Sequence, residues 1–360
     1  MILTTFASDE TMVKSAVGAG VDRLILEDSP LSIRSFSENT DNIEALATLA
    51  RSLSPTIELS VNCDVLAHHF HLPKIEKLIE TMQRCSISLI RIQDPGLMTW
   101  LKEKWPDIKI HLATETGNLN LESIRYYSQF ADQQTLGNEM PIADIQKALE
   151  IDTKFEIQVH GPILIQYSYR RFMSGLTGNT KPIIRLSQDN QYPGRYYKFY
   201  DNEHGHFMYL YFDRCLLKYV RDIQNIHSWL IDARGENADY LESALRAFQG
   251  IGEPVGPRPF KPGFFRVNNT DQELMLKTHH TDGIIGTVVD IVPGKCVTLE
   301  LQKPLKAGDA LTVETPEGKS FSYVAEELKS LGGDALESSR PYRLVKIKWK
   351  KGFAQRSVVY

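Results

Sequence analysis

The chain has 360 residues, of which 42% are hydrophobic and 24% charged, and its formal net charge is −4. These values belong to a soluble globular protein with room for one large domain and a smaller one. They exclude a disordered chain and a membrane-spanning one, since no apolar run approaches about 18 residues, and they leave nucleic-acid or membrane-surface binding to local clusters of charge. A short β-rich opening at 1–6 (MILTTF) lacks a basic stretch ahead of it, which points to the cytoplasm and to no membrane partner.

A helix beginning at Ser8-Asp9-Glu10 follows, then the buried-type strand 23–27 (RLILE). The cycle repeats: helix 42–53 and strand 57–62, helix 73–85 and strand 88–93, helix 97–105 and strand 108–113. Helix 121–130 leads to a weak strand at 134–136, and helix 141–149 to strand 155–160. There His160-Gly161-Pro162 reads as the end of the strand, and a basic, tyrosine-rich insertion (163–212) interrupts the pattern. A helix at 214–223, strand 229–233 and helix 238–248 close it. Eight strand–helix units over about 250 residues predict an α/β fold, a (β/α)8 barrel of the TIM type. A doubly wound open sheet is the rival, and it lacks its glycine-rich fingerprint after the first strand. Residues 251–260, rich in Gly and Pro, read as a linker. Short β-rich runs at 283–292, 296–301, 310–315, 320–324 and 343–350 predict a small all-β barrel or sandwich over 261–360.

Residues 155–174, FEIQVHGPILIQYSYRRFMS, carry a further signal. With Glu156, His160, Gly161, Ile163, Met173 and Ser174 in place, this stretch resembles the signature of the collagenase-like peptidase family (U32). Members of that family include prephenate-dependent RNA and quinone hydroxylation proteins. Asp94-Pro95-Gly96, His111 with Thr114, and the β-rich C-terminal region match in order, so the resemblance covers nearly the whole chain. It implies a barrel and action in tRNA or rRNA base hydroxylation with a small carboxylate co-substrate. Where the family places two cysteines, however, this chain has Leu164 and Arg171. No cysteine lies between them and Cys215, which alone falls at a family ligand position. One thiolate cannot hold an iron–sulfur cluster, so no cofactor and no metal are expected. Cys63, Cys85, Cys215 and Cys296 show no CxxC spacing and read as free thiols.

In such a barrel the C-terminal strand ends meet at one mouth. The polar residues there are Glu27, Asn62, Asp94, Thr114, Glu115, Glu139, His160, Asp232 and Arg234, with Arg34 in a loop beside Glu27. His160, Asp232 and Glu139 are the catalytic candidates. Arg34, Arg234, Glu27, Asn62, Thr114 and Glu115 are the candidates for binding the carboxylate, with the arginines turned inward to balance the acids. Asp94 reads equally as a helix cap, Asn62 as a turn residue, and His160 as a structural hydrogen-bonding group. The groups His68/His69/His71, His204/His206 and His279/His280 lack the helical zinc spacing.

In the insertion, Arg170, Arg171, Arg185, Arg195 and Lys198 alternate with tyrosines and phenylalanines. That composition suits RNA, with cations on phosphates and rings on bases, and a packed segment with surface arginines is the alternative. VKIKWKK near the C-terminus presents its lysines on one strand face. Three functional readings stand: an RNA hydroxylation protein, a non-catalytic partner of a cysteine-rich family paralogue, and a peptidase.

Overall fold

The computed structural model describes residues 1–36, 42–114, 117–178, 182–188, 194–266, 283–316 and 319–360. The chain divides into two compact units, Met1–Val267 and Asn268–Tyr360.

In the first unit the strands are β1 (Ile2–Ala7), β2 (Arg23–Glu27), β3 (Glu58–Cys63), β4 (Leu89–Ile92), β5 (Lys109–Leu112), β6 (Gln133–Thr135), β7 (Lys154–Ser168), β8 (Ile183–Gln188), β9 (Tyr196–Asn202), β10 (Gly205–Cys215), β11 (Ser228–Ile231) and β12 (Phe260–Lys261). Strands β1 to β7 pair in sequence order, all parallel, and β11 pairs with both β7 and β1. Eight parallel strands therefore close into a barrel, with no edge left in that ring. Helices cover the outside because the apolar residues recur at helical spacing. Val13 and Ala16, Leu46 and Ala50, and Ile75, Leu78 and Ile79 all enter one core with the outward strand residues. Asp9, Asn42, Asp94, Asn120 and Asn237 cap their helices through side-chain oxygens. Phe6, Ile25 and Leu230 form a separate apolar cluster, the filling of the barrel itself.

Two sequence expectations are corrected here. Strand β7 does not stop at His160; it runs on for 15 residues to Ser168. Its register slips beside β11 between Leu230 and Ile231. Gly161 takes φ +117°, where an added Cβ would lie 2.0 Å from the Asp232 carbonyl oxygen. Glycine thus bends the strand without ending it. Beyond the bend β7 pairs antiparallel with β10, and β9 and β8 extend that sheet outward. The second correction concerns 214–223, read as one helix. Arg214 and Cys215 finish β10, and only Val220–Ile223 is α-helical. The short β12, at the end of the segment read as a linker and the start of the next domain, pairs with β10 and belongs to the first unit.

The second unit contains an eight-stranded antiparallel sheet around Val297, Leu299, Val313, Val345 and Ile347. The lysine-rich strand Leu344–Lys348 lies between Cys296–Leu301 and Leu328–Lys329. Val345 and Ile347 fill the core, which leaves Lys346 and Lys348 on the opposite face.

Candidate functional site

The C-terminal ends of β2, β3 and β11 bring five buried charges together at the barrel mouth. Asp232 accepts from Arg234 through both oxygens, Nε to Oδ1 at 3.0 Å and Nη2 to Oδ2 at 2.7 Å. Arg234 Nη1 stands 3.4 Å from Glu27 Oε1 and 3.7 Å from Asp64 Oδ2. Arg34 Nη2 lies 3.8 Å from Asp232 Oδ2, and the Arg234 guanidinium stacks 3.6 Å from the Phe6 ring centroid. None of the five is more than 6% exposed. Three acids against two arginines leave one negative charge in excess, and Glu27 absorbs it. Burial, then Asp64 and Asp232, outweigh Arg234 and Arg34 and push its carboxyl up to about 7. Burial opposes the charge on Asp232 too, yet Arg234 holds that carboxyl well below the usual range. Asn62 donates to Glu27 at 3.5 Å and leaves its own Oδ1 without a partner.

Deeper in the barrel, Glu156 accepts from Arg91, Thr135, Thr4 and Ser228 at 3.0 to 3.1 Å, with His111 3.6 Å away. Burial keeps the His111 imidazole neutral, its pKa down to about 3. Between this network and the mouth lies a cavity of about 20 Å³. Arg34, Arg91, Thr114, Asn138 and Gln158 reach it, and among the described residues the buried Thr114 hydroxyl has no partner. A second mouth pocket of about 340 Å³ is bounded by Phe6, Glu27, Phe36, Arg234 and Glu236.

Other candidates fall elsewhere. His160 is fully buried with both ring nitrogens unpartnered, among Tyr240, Phe248 and Phe260 at ring-centroid distances of 5.0 to 6.2 Å. The slip in β7 turns it outward, away from the acids, and burial lowers its pKa to about 3. Glu139 sits in the turn after β6 and acts electrostatically on buried Arg214. Glu115 lies outside the described residues. Asp94 caps its helix and also accepts from the Ala67 amide.

In the insertion, the cations separate into two kinds. Lys198 is 4% exposed, donates to Glu236 at 2.7 Å and to the Gly235 carbonyl, and lies over Phe36. It anchors the sheet to the barrel and is withdrawn from any phosphate. Arg171 donates to Ser174 Oγ, and Arg195 lies 4.9 Å from the Tyr211 ring centroid. Arg170 and Arg185 are exposed, as are Tyr169, Phe172 and Tyr196. Tyr169 reaches the His68 ring at 3.4 Å, and His68 in turn stacks with exposed Phe70. One pair escaped the sequence reading. His206 Nδ1 and Asp201 Oδ1 are 2.5 Å apart and buried, with the Ser174 amide donating to the other Asp201 oxygen. The only sequence signal was His204-Gly205-His206, which loop histidines also produce.

The family's iron–sulfur cluster does not fit these residues. Leu164 packs against the core, Arg171 carries a fixed charge, and Cys215, its thiol pushed up by burial, is a lone thiol.

A family model described as Peptidase family U32 matches residues 9–278. The tRNA hydroxylation protein P1 of Bacillus subtilis is 20% identical, over 94% of this chain and 89% of its own. The tRNA hydroxylation protein P of Escherichia coli is 18% identical, over 85% and 83%. A collagenase of Porphyromonas gingivalis is 24% identical over 48% of this chain and 44% of its own. Among solved structures, phosphoribosyl anthranilate isomerase from Thermus thermophilus covers 69% of this chain and 99% of its own, with 10% identity and a TM-score of 0.42. With three quarters of its length matched by the family model, this chain belongs to peptidase family U32.

Proposed function

We propose that the protein acts in hydroxylation of a tRNA or rRNA base, using a small carboxylate co-substrate, such as prephenate, held in the barrel mouth. One observation carries the reading: the barrel mouth has a pocket of about 340 Å³ lined by Arg234, and the guanidiniums of Arg34 and Arg91 line a second, water-sized cleft with the Thr114 hydroxyl, which is unpartnered among the described residues. A carboxylate head group suits that donor set, and Arg234 keeps Asp232 and Glu27 from repelling it. The exposed Tyr169, Phe172, Arg170 and Arg185 offer rings and charges to unpaired RNA. The relatives named for tRNA hydroxylation support the substrate class. The protein's own residues bind and orient the co-substrate.

Mass spectrometry of nucleosides from tRNA and rRNA, with and without the gene, tests this. A hydroxylated nucleoside should be lost on deletion and restored by wild type but not by Arg34→Ala. An unchanged nucleoside profile overturns the reading.

A second reading, a non-catalytic partner of a cysteine-bearing paralogue, is favoured by β8. Among the described residues that strand ends the sheet, with Ile184 and Leu186 44% and 61% exposed. A stable copurifying complex with such a paralogue, together with full activity of the Arg34→Ala protein, would select it.

A further inference from the structure

The opposite end of the barrel holds a cavity of about 630 Å³ among the strand openings. Barrels of this kind place chemistry at the other face and usually close this one with packing. Here the first residues of β2, β3, β5, β6 and β7, namely Arg23, Glu58, Lys109, Gln133 and Lys154, all line an open space.

Its charges do not cancel internally. Glu58 is taken by Arg23 at 2.8 Å, and Asp132, also on the wall, by Lys102 at 2.9 Å. Among the described residues Lys109 and Lys154, both exposed, have no acidic partner, and Arg51 donates only to the Cys85 and Ser86 carbonyls. The cavity is thus electropositive once its own pairs are formed.

Among the described residues, two buried nitrogens on its wall also lack partners. Gln133 is 2% exposed, and its Oε1 accepts from Arg23 Nη1 at 3.0 Å. Because arginine can only donate, the amide cannot be flipped, and Nε2 remains a donor with no acceptor. His227 Nε2 is the second. Burial, with Lys154 and Arg23 beside it, disfavours protonation of that ring, so it stays a neutral donor or acceptor.

We propose that this basal cavity is a binding site for a small phosphorylated anion, gripped by Lys109 and Lys154 at the rim and by Gln133 within. Lysines serve phosphate as compact point charges, and the volume falls in the range of small-molecule sites. The site lies at the end of the barrel opposite the mouth.

Inorganic pyrophosphate, titrated calorimetrically into the full chain at low salt, is the probe. Wild type should bind it saturably. The Lys109→Ala/Lys154→Ala double variant, which alters only exposed side chains, should bind at least roughly tenfold more weakly. Arg170→Ala, in the insertion, should match wild type. Absence of saturable binding, undiminished binding by the double variant, or an equal loss in Arg170→Ala would each overturn the proposal.

Discussion

Asp232 and Arg234, two residues apart at the end of β11, hold each other through two parallel hydrogen bonds while wholly inside the protein. The same guanidinium faces Glu27 and Asp64. Arg234 is therefore the counter-charge that keeps three buried acids compatible, and its donors are already engaged. Arg234→Ala should cost on the order of 3–5 kcal/mol of stability, because it strands buried charge. Lysine should not restore it, lacking the planar fork that meets both oxygens. Denaturant unfolding measures both variants, and an Arg234→Ala protein as stable as wild type would contradict this account.

Glu27 gives the mouth a pH dependence of definite sign. Its folded pKa, about 7, lies above the ordinary 4.5, so folding favours its protonated form. The stability this supplies is full below about 4.5, falls as pH rises, and is gone above about 7. Asp232, shifted the opposite way, loses its contribution only in strong acid. Thermal unfolding of Glu27→Gln across that interval should show a flatter profile than wild type. An identical slope in both would remove Glu27 as its source.

His160 should be replaceable by phenylalanine. Its ring forms no hydrogen bond and sits among three aromatic rings, so His160→Phe should keep both stability and function. His160→Ala should lose about 3 kcal/mol through the cavity it leaves. Loss of function in a fully stable His160→Phe protein would argue for chemistry at that ring.

The insertion should separate binding from folding. Arg170→Ala with Arg185→Ala should weaken RNA binding and flatten its salt dependence, since fewer counterions are released. Tyr169→Ala should weaken it through lost stacking. Lys198→Ala should instead lower stability, because Glu236 and the Gly235 carbonyl lose a buried donor. If Arg170 and Arg185 proved neutral in filter binding at low salt, RNA would not lie on this sheet.

Protein prepared without oxygen should contain no stoichiometric iron and sulfide, since Leu164 and Arg171 stand at ligand positions. Elemental analysis decides this directly, and a brown four-iron product would refute it.

The barrel was legible because its strands, such as Arg23–Glu27, are buried on both faces and alternate with capped amphipathic helices. Glu27, Asn62, Asp232 and Arg234 were legible as neighbours because closure of the ring makes strand ends converge. His160 was not: a one-residue slip in β7 reverses which face a side chain takes, and nothing in a strand's composition announces it. The end of β10, Arg214 and Cys215, reads as helix because it runs into Leu216, Leu217 and Val220, which recur at helical spacing. Its pairing with β7 across fifty residues is a tertiary fact. Lys198 looked like its exposed neighbours because its partner, Glu236, lies far along the chain.

One mechanical consequence follows from the uninterrupted course of β7. A door needs a hinge, and between the barrel and the sheet of β8 to β10 the connecting strand is hydrogen-bonded on both sides of Gly161, to β11 below and β10 above. Swinging that sheet aside would mean tearing a stave out of the ring. The sheet is thus a fixed extension of the barrel wall, and any ligand of the mouth should exchange past it rather than by an opening step.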